Sequence, residues 1–352
     1  MNYPSSLQKR YANTVFSDLP NDLIIQILVE ADDETFRNLC SQPEFRSYCS
    51  SNSIFSERLY EERVKIQVER RFSKDILQFK PKDMKWREFN ERISKFIEKL
   101  DNPFNIEEDN LAREGKLMEI KILYSMNGTL PTQHGINAAA RNAHLSILEF
   151  VYSKNRLLPD QVGVDSIPEK GDLSILEFVY YKNHLLPQQL GVNIASKYGR
   201  LSILEFVYSK NGVLPDQNGV NYAAESAQLP VLQFVYSENR LLPDQTGVNW
   251  AAYHGNLLVL EFVCSKNRLL PNQQGVNWAA LRDRLSVLEF VYSKNGLLPN
   301  QEGVDLAAEE GHLRILQFVY SKNGTLPPRN FVDLAAINGH QDIVDWVRSK
   351  SR

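Results

Sequence analysis

The side chains with chemistry to offer stand in rows. Tyrosine occurs at 124, 152, 180, 208, 236, 292 and 320, and Cys264 takes the one place this even series leaves open. A phenol can carry protons in catalysis, but a position that exchanges Tyr for Cys reads as a half-buried packing site. The histidines are His134, His144, His184, His254, His312 and His340. Three of them (His144, His312 and His340) share a turn position, and none forms the H-E-x-x-H pair that would hold zinc. There is no G-x-G-x-x-G, no Walker loop and no G-x-S-x-G elbow. The cysteines are three, Cys40, Cys49 and Cys264, without a C-x-x-C pair. Such an odd, scattered set reads as reduced thiols rather than a disulfide framework or a metal site. We expect no catalytic constellation, no metal and no cofactor, and therefore no enzyme.

Binding chemistry sits where the rows break. Tyr198, Tyr222, Trp250, Tyr253, His254, Trp278 and Arg282 occupy positions that vary from unit to unit. Exposed Trp, Tyr and Arg are favoured anchors at protein interfaces, so these seven form the candidate target-binding patch. The tryptophans have a second reading. Their position is apolar elsewhere too (Ile194, Leu306, Leu334), which suits packing against the next unit.

The elements that position these residues follow from one period. Prolines stand at 103, 131, 159, 187, 215, 243, 271, 299 and 327, an unbroken period of 28. A fixed period of this size marks a solenoid whose units bury their apolar faces only against neighbours. Asp160, Asp216, Asp244, Asn272 and Asn300 follow their prolines and read as helix N-caps. A short helix then carries an Ala pair, such as Ala251-Ala252, small enough for close helix approach. Gly255 and its equivalents Gly115, Gly171, Gly199, Gly311 and Gly339 stop it in the left-handed conformation. A second helix follows, with Leu257, Val259, Leu260, Phe262 and Val263 as a broad apolar stripe, and Asn267 ends it. Ile167-Pro168 replaces the Ala pair in one unit and predicts a shortened or kinked first helix there. Charged Asp342, Asp345, Arg348 and Lys350 make the last unit a cap.

Two antiparallel helices with A-A-x-x-G-H-L-x-I-L-x-F-V between and through them resemble the ankyrin repeat, most closely at Gly311-His312-Leu313 and Ala335-Ala336-Ile337-Asn338-Gly339-His340. Asn249 and its equivalents stand where that family has a His, and a short polar side chain there can bond the neighbouring loop. The period of 28 rather than about 33, and x-Gly in place of Thr-Pro, are departures. The missing residues fall where ankyrins project a β-hairpin, so the stack should be almost wholly helical. The resemblance places the variable residues on the concave face.

Ahead of the repeats, Leu19-Pro20-Asn21-Asp22 reads as a helix start with Leu23, Ile24, Ile27 and Leu28 on one face. Further apolar faces follow at Phe36, Leu39 and Cys40, at Phe45, Tyr48 and Cys49, and at Phe55 and Leu59. Leu19, Pro20, Asp22, Leu23, Ile24, Ile27 and Leu28, with Leu39-Cys40, Phe45-Arg46 and Phe55, resemble an F-box, although Ala31 stands near where that family has Leu. The resemblance implies docking on a Skp-type adaptor of a cullin-RING ubiquitin ligase through Leu19, Pro20, Leu23, Ile24, Ile27 and Leu28. It also implies a setting, since this architecture is common in large DNA viruses that redirect host ligases. The plainer alternative is a helical cap on the solenoid. Residues 61–102 alternate charges of both signs over an amphipathic pattern and read as a helical connector.

The expected plan is therefore all-α: a loosely ordered 1–16, a helical motif at 17–60, a connector at 61–102 and nine repeats of the same period over 103–352. Net charge is −3, and the first hundred residues hold 17 Lys/Arg against 16 Asp/Glu. With no basic body and no run near 18 apolar residues, we expect neither a nucleic-acid nor a membrane partner and a cytoplasmic place. Two functions remain open, a ligase adaptor holding a protein target and a non-catalytic scaffold or inhibitor.

Overall fold

Side-chain caps begin most of the first helices of the repeats. Asp216, Asp244 and Asn272 sit in extended backbone, and each accepts from two amide N–H groups in the first turn of its helix, as in Asp244 with Thr246 and Gly247. These N–H groups have no partner inside the helix, so the cap supplies what the helix cannot. Asp160 and Asn300 do the same for Gly163 and Gly303. The computed structural model describes residues 19–50, 53–72, 74–100 and 108–350. The expected loose stretch at 1–16 and the first repeat proline, Pro103, lie outside them. Among the described residues the secondary structure is all-helical, and the chain divides into two compact units, Met1–Gly135 and Ile136–Arg352.

The second unit is a solenoid of helical hairpins. A representative hairpin pairs helix Gln245–His254 with helix Leu257–Asn267. The Ala pair Ala251-Ala252 is fully buried, and Val259, Leu260 and Val263 are at most 1% exposed. Each such aliphatic side chain contributes roughly 1.5–3 kcal/mol on burial, so a unit is stable only between neighbours. The turn residue takes the left-handed conformation at Gly171, Gly199, Gly255, Gly311 and Gly339, and also at Ala143, Ala227 and Asp283, where no glycine eases it. The second helices stop the same way one residue beyond the expected Asn. Gly212, Arg240 and Arg268 have positive φ, and the Asn side chain accepts from the amide two positions on, as Asn267 does from Leu269. The Ile167-Pro168 unit is shortened as expected: its first helix covers only Gln161–Ser166 and passes into a 3-10 turn at Ile167–Glu169. Pro168 has no N–H to continue an α-helix.

Adjacent hairpins are joined by amide side chains. Asn249 is 4% exposed. Its Nδ2 donates to Asn272 Oδ1 (2.9 Å) and its Oδ1 accepts from the Asn272 amide (3.2 Å). Gln245 Nε2 donates both to Asn249 Oδ1 (3.0 Å) and to the Leu270 carbonyl (3.1 Å). The pattern repeats at Asn193 with Asp216, Asn221 with Asp244 and Asn277 with Asn300. Thus the expected bond from this polar position to the neighbouring loop forms, and it forms with the next unit's N-cap. It also accounts for the x-Gly departure. A Cβ on Gly275 would lie 2.5 Å from Asn249 Oδ1 and 3.0 Å from Pro271 Cβ.

In the first unit, helices Asn21–Glu30 and Asp33–Ser41, a 3-10 turn at Pro43–Phe45, helix Arg46–Cys49 and the start of helix Ser56–Arg71 enclose Ile24, Ile25, Ile27, Leu28, Leu39, Phe45 and Leu59. Arg63, 6% exposed, donates to the Leu28 and Ala31 carbonyls (2.9 and 2.6 Å) and reaches Asp33 (2.5 Å). Its guanidinium thus closes the carbonyl end of the first helix, where a cation is favoured. The reading of all cysteines as reduced thiols is corrected here, because Cys40 and Cys49 form a disulfide. The fold brings the ends of two short helices together, which an odd count spread along the sequence did not signal. Further along, Val68, Phe89, Ile93 and Phe96 share a core with Met118, Ile122 and Leu123 of the first hairpin, Glu108–Arg113 and Leu117–Asn127. Arg92 pairs in two-pronged fashion with Glu119 (2.6 and 2.8 Å), and that hydrogen bonding holds the guanidinium pKa above its ordinary value.

Two stability outcomes follow. Gly→Ala inside a helix ordinarily stabilises by about 0.5–1 kcal/mol. Gly275→Ala should instead destabilise by roughly 1–3 kcal/mol, read from urea unfolding, and a gain would break the interlock argument. Ser196 stands in the Ala-pair register, fully buried, with no hydrogen-bond partner for its hydroxyl. Ser196→Ala should therefore hold or raise stability, by up to about 1 kcal/mol, in the same titration.

Candidate functional site: an aromatic cluster on the first helices

The variable residues lie on the first helix of each hairpin and at its end, opposite the apolar side the Ala pair faces. Helix periodicity sets this. Trp250 and Tyr253 are three positions apart and share a face, while Ala251-Ala252 turn inward. In helix Gln273–Leu281 of the next hairpin, Trp278 takes the register of Trp250.

These residues meet across the two hairpins. The rings of Trp250 and Trp278 are 5.1 Å apart and tilted by 38°. Tyr253 stands edge-on to both, at 5.5 Å from Trp250 and 6.2 Å from Trp278. His254 packs on Tyr253 at 4.9 Å and lies parallel to Trp250 at 6.2 Å. The Arg282 guanidinium covers the Tyr253 ring at 4.7 Å, a contact in which the ring's negative face attracts the cation. Trp250 remains 37% exposed, Trp278 is half-buried, and His254 and Arg282 are exposed. The two readings of the tryptophans therefore merge: each ring packs on its neighbour and still keeps open surface. Glu225, a variable position outside the seven candidate residues, lies 3.8 Å from His254 Nε2. Only the register of adjacent hairpins brings it there.

Tyr198 and Tyr222 do not join the cluster. Both are exposed, at 45% and 42%, and each has its own cation, Arg200 at 5.9 Å and Lys197 at 5.8 Å. Of the six adaptor-docking residues, Leu19, Ile24, Ile27 and Leu28 are interior to the first unit's own core. Pro20 is exposed and Leu23 half-buried. Four residues of the helical face that resembles a docking surface therefore share one core with Phe45, Tyr48 and Leu59. The recurrent tyrosines are half-buried packing residues, as expected.

No protein-family model matches the chain, and no curated protein matches it. Among solved structures it is similar to the pentatricopeptide repeat protein PPR10 in complex with an 18-nt psaJ RNA element, at 12% identity and a TM-score of 0.40, covering 94% of this chain and 53% of that one. It is also similar to PPR10 from maize, at 13% identity and a TM-score of 0.34, covering 95% and 54%. The chain spans about half the length of these neighbours. One expectation is corrected at this point. Exclusion of a nucleic-acid partner does not stand, since a helical-repeat protein among these neighbours is itself an RNA complex. The exclusion rested on net charge, and single-strand recognition runs through stacking faces and base-edge contacts that net charge does not report. Among the described residues no helix is long and apolar enough to cross a membrane.

Close indole rings couple electronically, so the folded protein should show an exciton couplet in its far-ultraviolet circular dichroism. Trp250→Ala and Trp278→Ala should each abolish it. Because the rings are part-exposed, each change should cost about 0.5–1.5 kcal/mol, against roughly 3–5 kcal/mol for a core Trp. A couplet that survives either change would separate the two rings.

Proposed function

We propose that this protein is a non-catalytic binding scaffold whose solenoid captures a polypeptide partner on the Trp250, Tyr253, His254, Trp278 and Arg282 cluster. One observation carries the reading. The hairpin closes without aromatic rings at these positions: the register of Trp250 holds Ala138, Ser166, Ile194 and Leu306 elsewhere, and that of Tyr253 holds Arg141, Glu169, Lys197 and Glu309. The rings are therefore not needed for folding, yet in two successive units they gather into one part-exposed patch. Aromatic and Arg side chains so placed supply large contact area at low entropic cost. Charge at the patch is of both signs, Glu225 beside His254 and Arg282 over Tyr253, which suits a mixed polypeptide surface.

A ligase-adaptor role would have to run through the surface at Pro20 and Leu23, since the other four residues of that face are interior. It is not part of the proposal.

Peptides selected on the full-length protein by display should bind it and lose affinity about tenfold or more on Trp250→Ala or Arg282→Ala, the size expected of an interface anchor. Ser226→Ala, in the His254 register but away from the rings, should leave binding unchanged. Single-stranded oligonucleotides are titrated in parallel. Binding of these in place of peptides, or peptide affinity indifferent to both substitutions, would overturn the reading.

A further inference from the structure

The second helices carry a ladder of their own. Five of the recurrent tyrosines stand edge-on to the Phe of the next unit's second helix: Tyr152 to Phe178 at 5.8 Å, Tyr180 to Phe206 at 5.5 Å, Tyr208 to Phe234 at 5.9 Å, Tyr236 to Phe262 at 5.9 Å and Tyr292 to Phe318 at 6.0 Å; Tyr320 meets Trp346 in the same way at 5.7 Å. A Lys from that same neighbouring helix lies over the tyrosine in five places, Lys182 on Tyr152, Lys210 on Tyr180, Lys266 on Tyr236, Lys322 on Tyr292 and Lys350 on Tyr320, at 5.2–5.8 Å. At these rungs a phenol ring fits between an aromatic edge and an ammonium.

One rung is missing. Cys264 stands in the tyrosine register, so Phe290 has no edge-on tyrosine, and Lys294 lies over Phe290 alone at 5.6 Å. Beside Cys264 opens a cavity of about 680 Å3, lined by Arg268, Leu270, Gln273, Lys294 and Leu297 among others. Its lining sets the aliphatic Leu269, Leu270 and Leu297 beside the amides of Asn272, Gln273 and Asn295. Its rim carries two cations, neither within ion-pair distance of a carboxylate among the described residues, and no acidic residue lines it. The protein's other units show what such a space holds.

We propose that this gap is a docking site for an aromatic side chain, tyrosine by preference, of a partner polypeptide with acidic residues beside it. The ring would take the place of the absent tyrosine, against Phe290 and beneath Lys294, and the flanking carboxylates would meet Arg268 and Lys294. Charge-assisted contacts of this kind are stronger than neutral ones, and the ring supplies the buried area. The site lies at the ends of two second helices and the loops that follow them, and shares no residue with the first-helix cluster.

Cys264 supplies the reporter, because the other two cysteines are joined in a disulfide. The experiment follows alkylation of Cys264 by iodoacetamide in the full-length protein with the acetylated, amidated peptide Asp-Asp-Tyr-Asp-Asp. At twice its dissociation constant the peptide should slow alkylation about threefold, the factor 1 + [L]/Kd. Asp-Asp-Ala-Asp-Asp should not, and Lys294→Glu, an exposed substitution, should weaken protection. Cys264→Tyr completes the ladder. It should raise the melting temperature and end peptide binding, followed by broadening of the peptide's own NMR signals. Equal protection by the Tyr and Ala peptides, no protection by either, or unchanged binding to a folded Cys264→Tyr variant would overturn the site. Since the readout reports Cys264 alone, such a failure leaves the first-helix reading untouched.

Discussion

The amide side chain that each hairpin lends to the next is the contact on which the solenoid depends. Asn249 satisfies the backbone N–H of Asn272 and, through Nδ2, the very oxygen that caps the following helix. Buried polar groups are costly unless paired, and here the pairings to the cap and the loop span two units. The clamp reaches the adjacent hairpin and stops there, so its coupling is confined to nearest neighbours. That is the condition for a stack whose stability is a sum over units and interfaces. The same clamp accounts for the short period. Leu269-Leu270-Pro271 is held directly by Gln245, and no projecting hairpin is needed to join one unit to the next.

A second set of bonds works at the opposite end of the first helix. Asn256 donates to the Ala224 and Glu225 carbonyls, Arg200 to those of Pro168 and Glu169, and His312 contacts that of Leu281. These carbonyls lie at the end of the preceding hairpin's first helix, where such groups lack a partner inside their own helix. Side chains as different as Asn, Arg and His serve because each can reach a carbonyl. Both ends of the first helix are therefore fixed by neighbours, and its outer positions are free to vary. Trp250, Tyr253 and His254 use that freedom, and their rings can lie against one another because the backbone beneath them is already held.

The first unit is organised differently. Arg63 reaches back to the end of helix Asn21–Glu30 and lies over Phe36 at 4.0 Å. Together with the Cys40–Cys49 disulfide it draws short helices around a small core that their own length would not stabilise. Leu19, Ile24, Ile27 and Leu28 are spent on that core. An aliphatic helix face has one side to bury, and here the chain itself fills it.

The all-helical hairpin plan, the period, the N-caps, the Ala-pair contact and the broken helix at Ile167-Pro168 are all written in the residues of a single unit. All of these are local: they depend on residue type and on spacing within one unit, and repetition prints most of them several times over. The polar role of Asn249 was legible for the same reason, although its partner was not. The stacking of helices had to be seen before it was clear that Trp250 and Trp278 are both packed and part-exposed, that Glu225 faces His254, and that Cys40 meets Cys49. It alone showed that Gly275 is small to admit Asn249, and that Cys264 leaves a space beneath Lys294. Each of these is a distance between residues of different elements, fixed by how helices stack. A period can say which positions are equivalent, but it cannot say which of them touch.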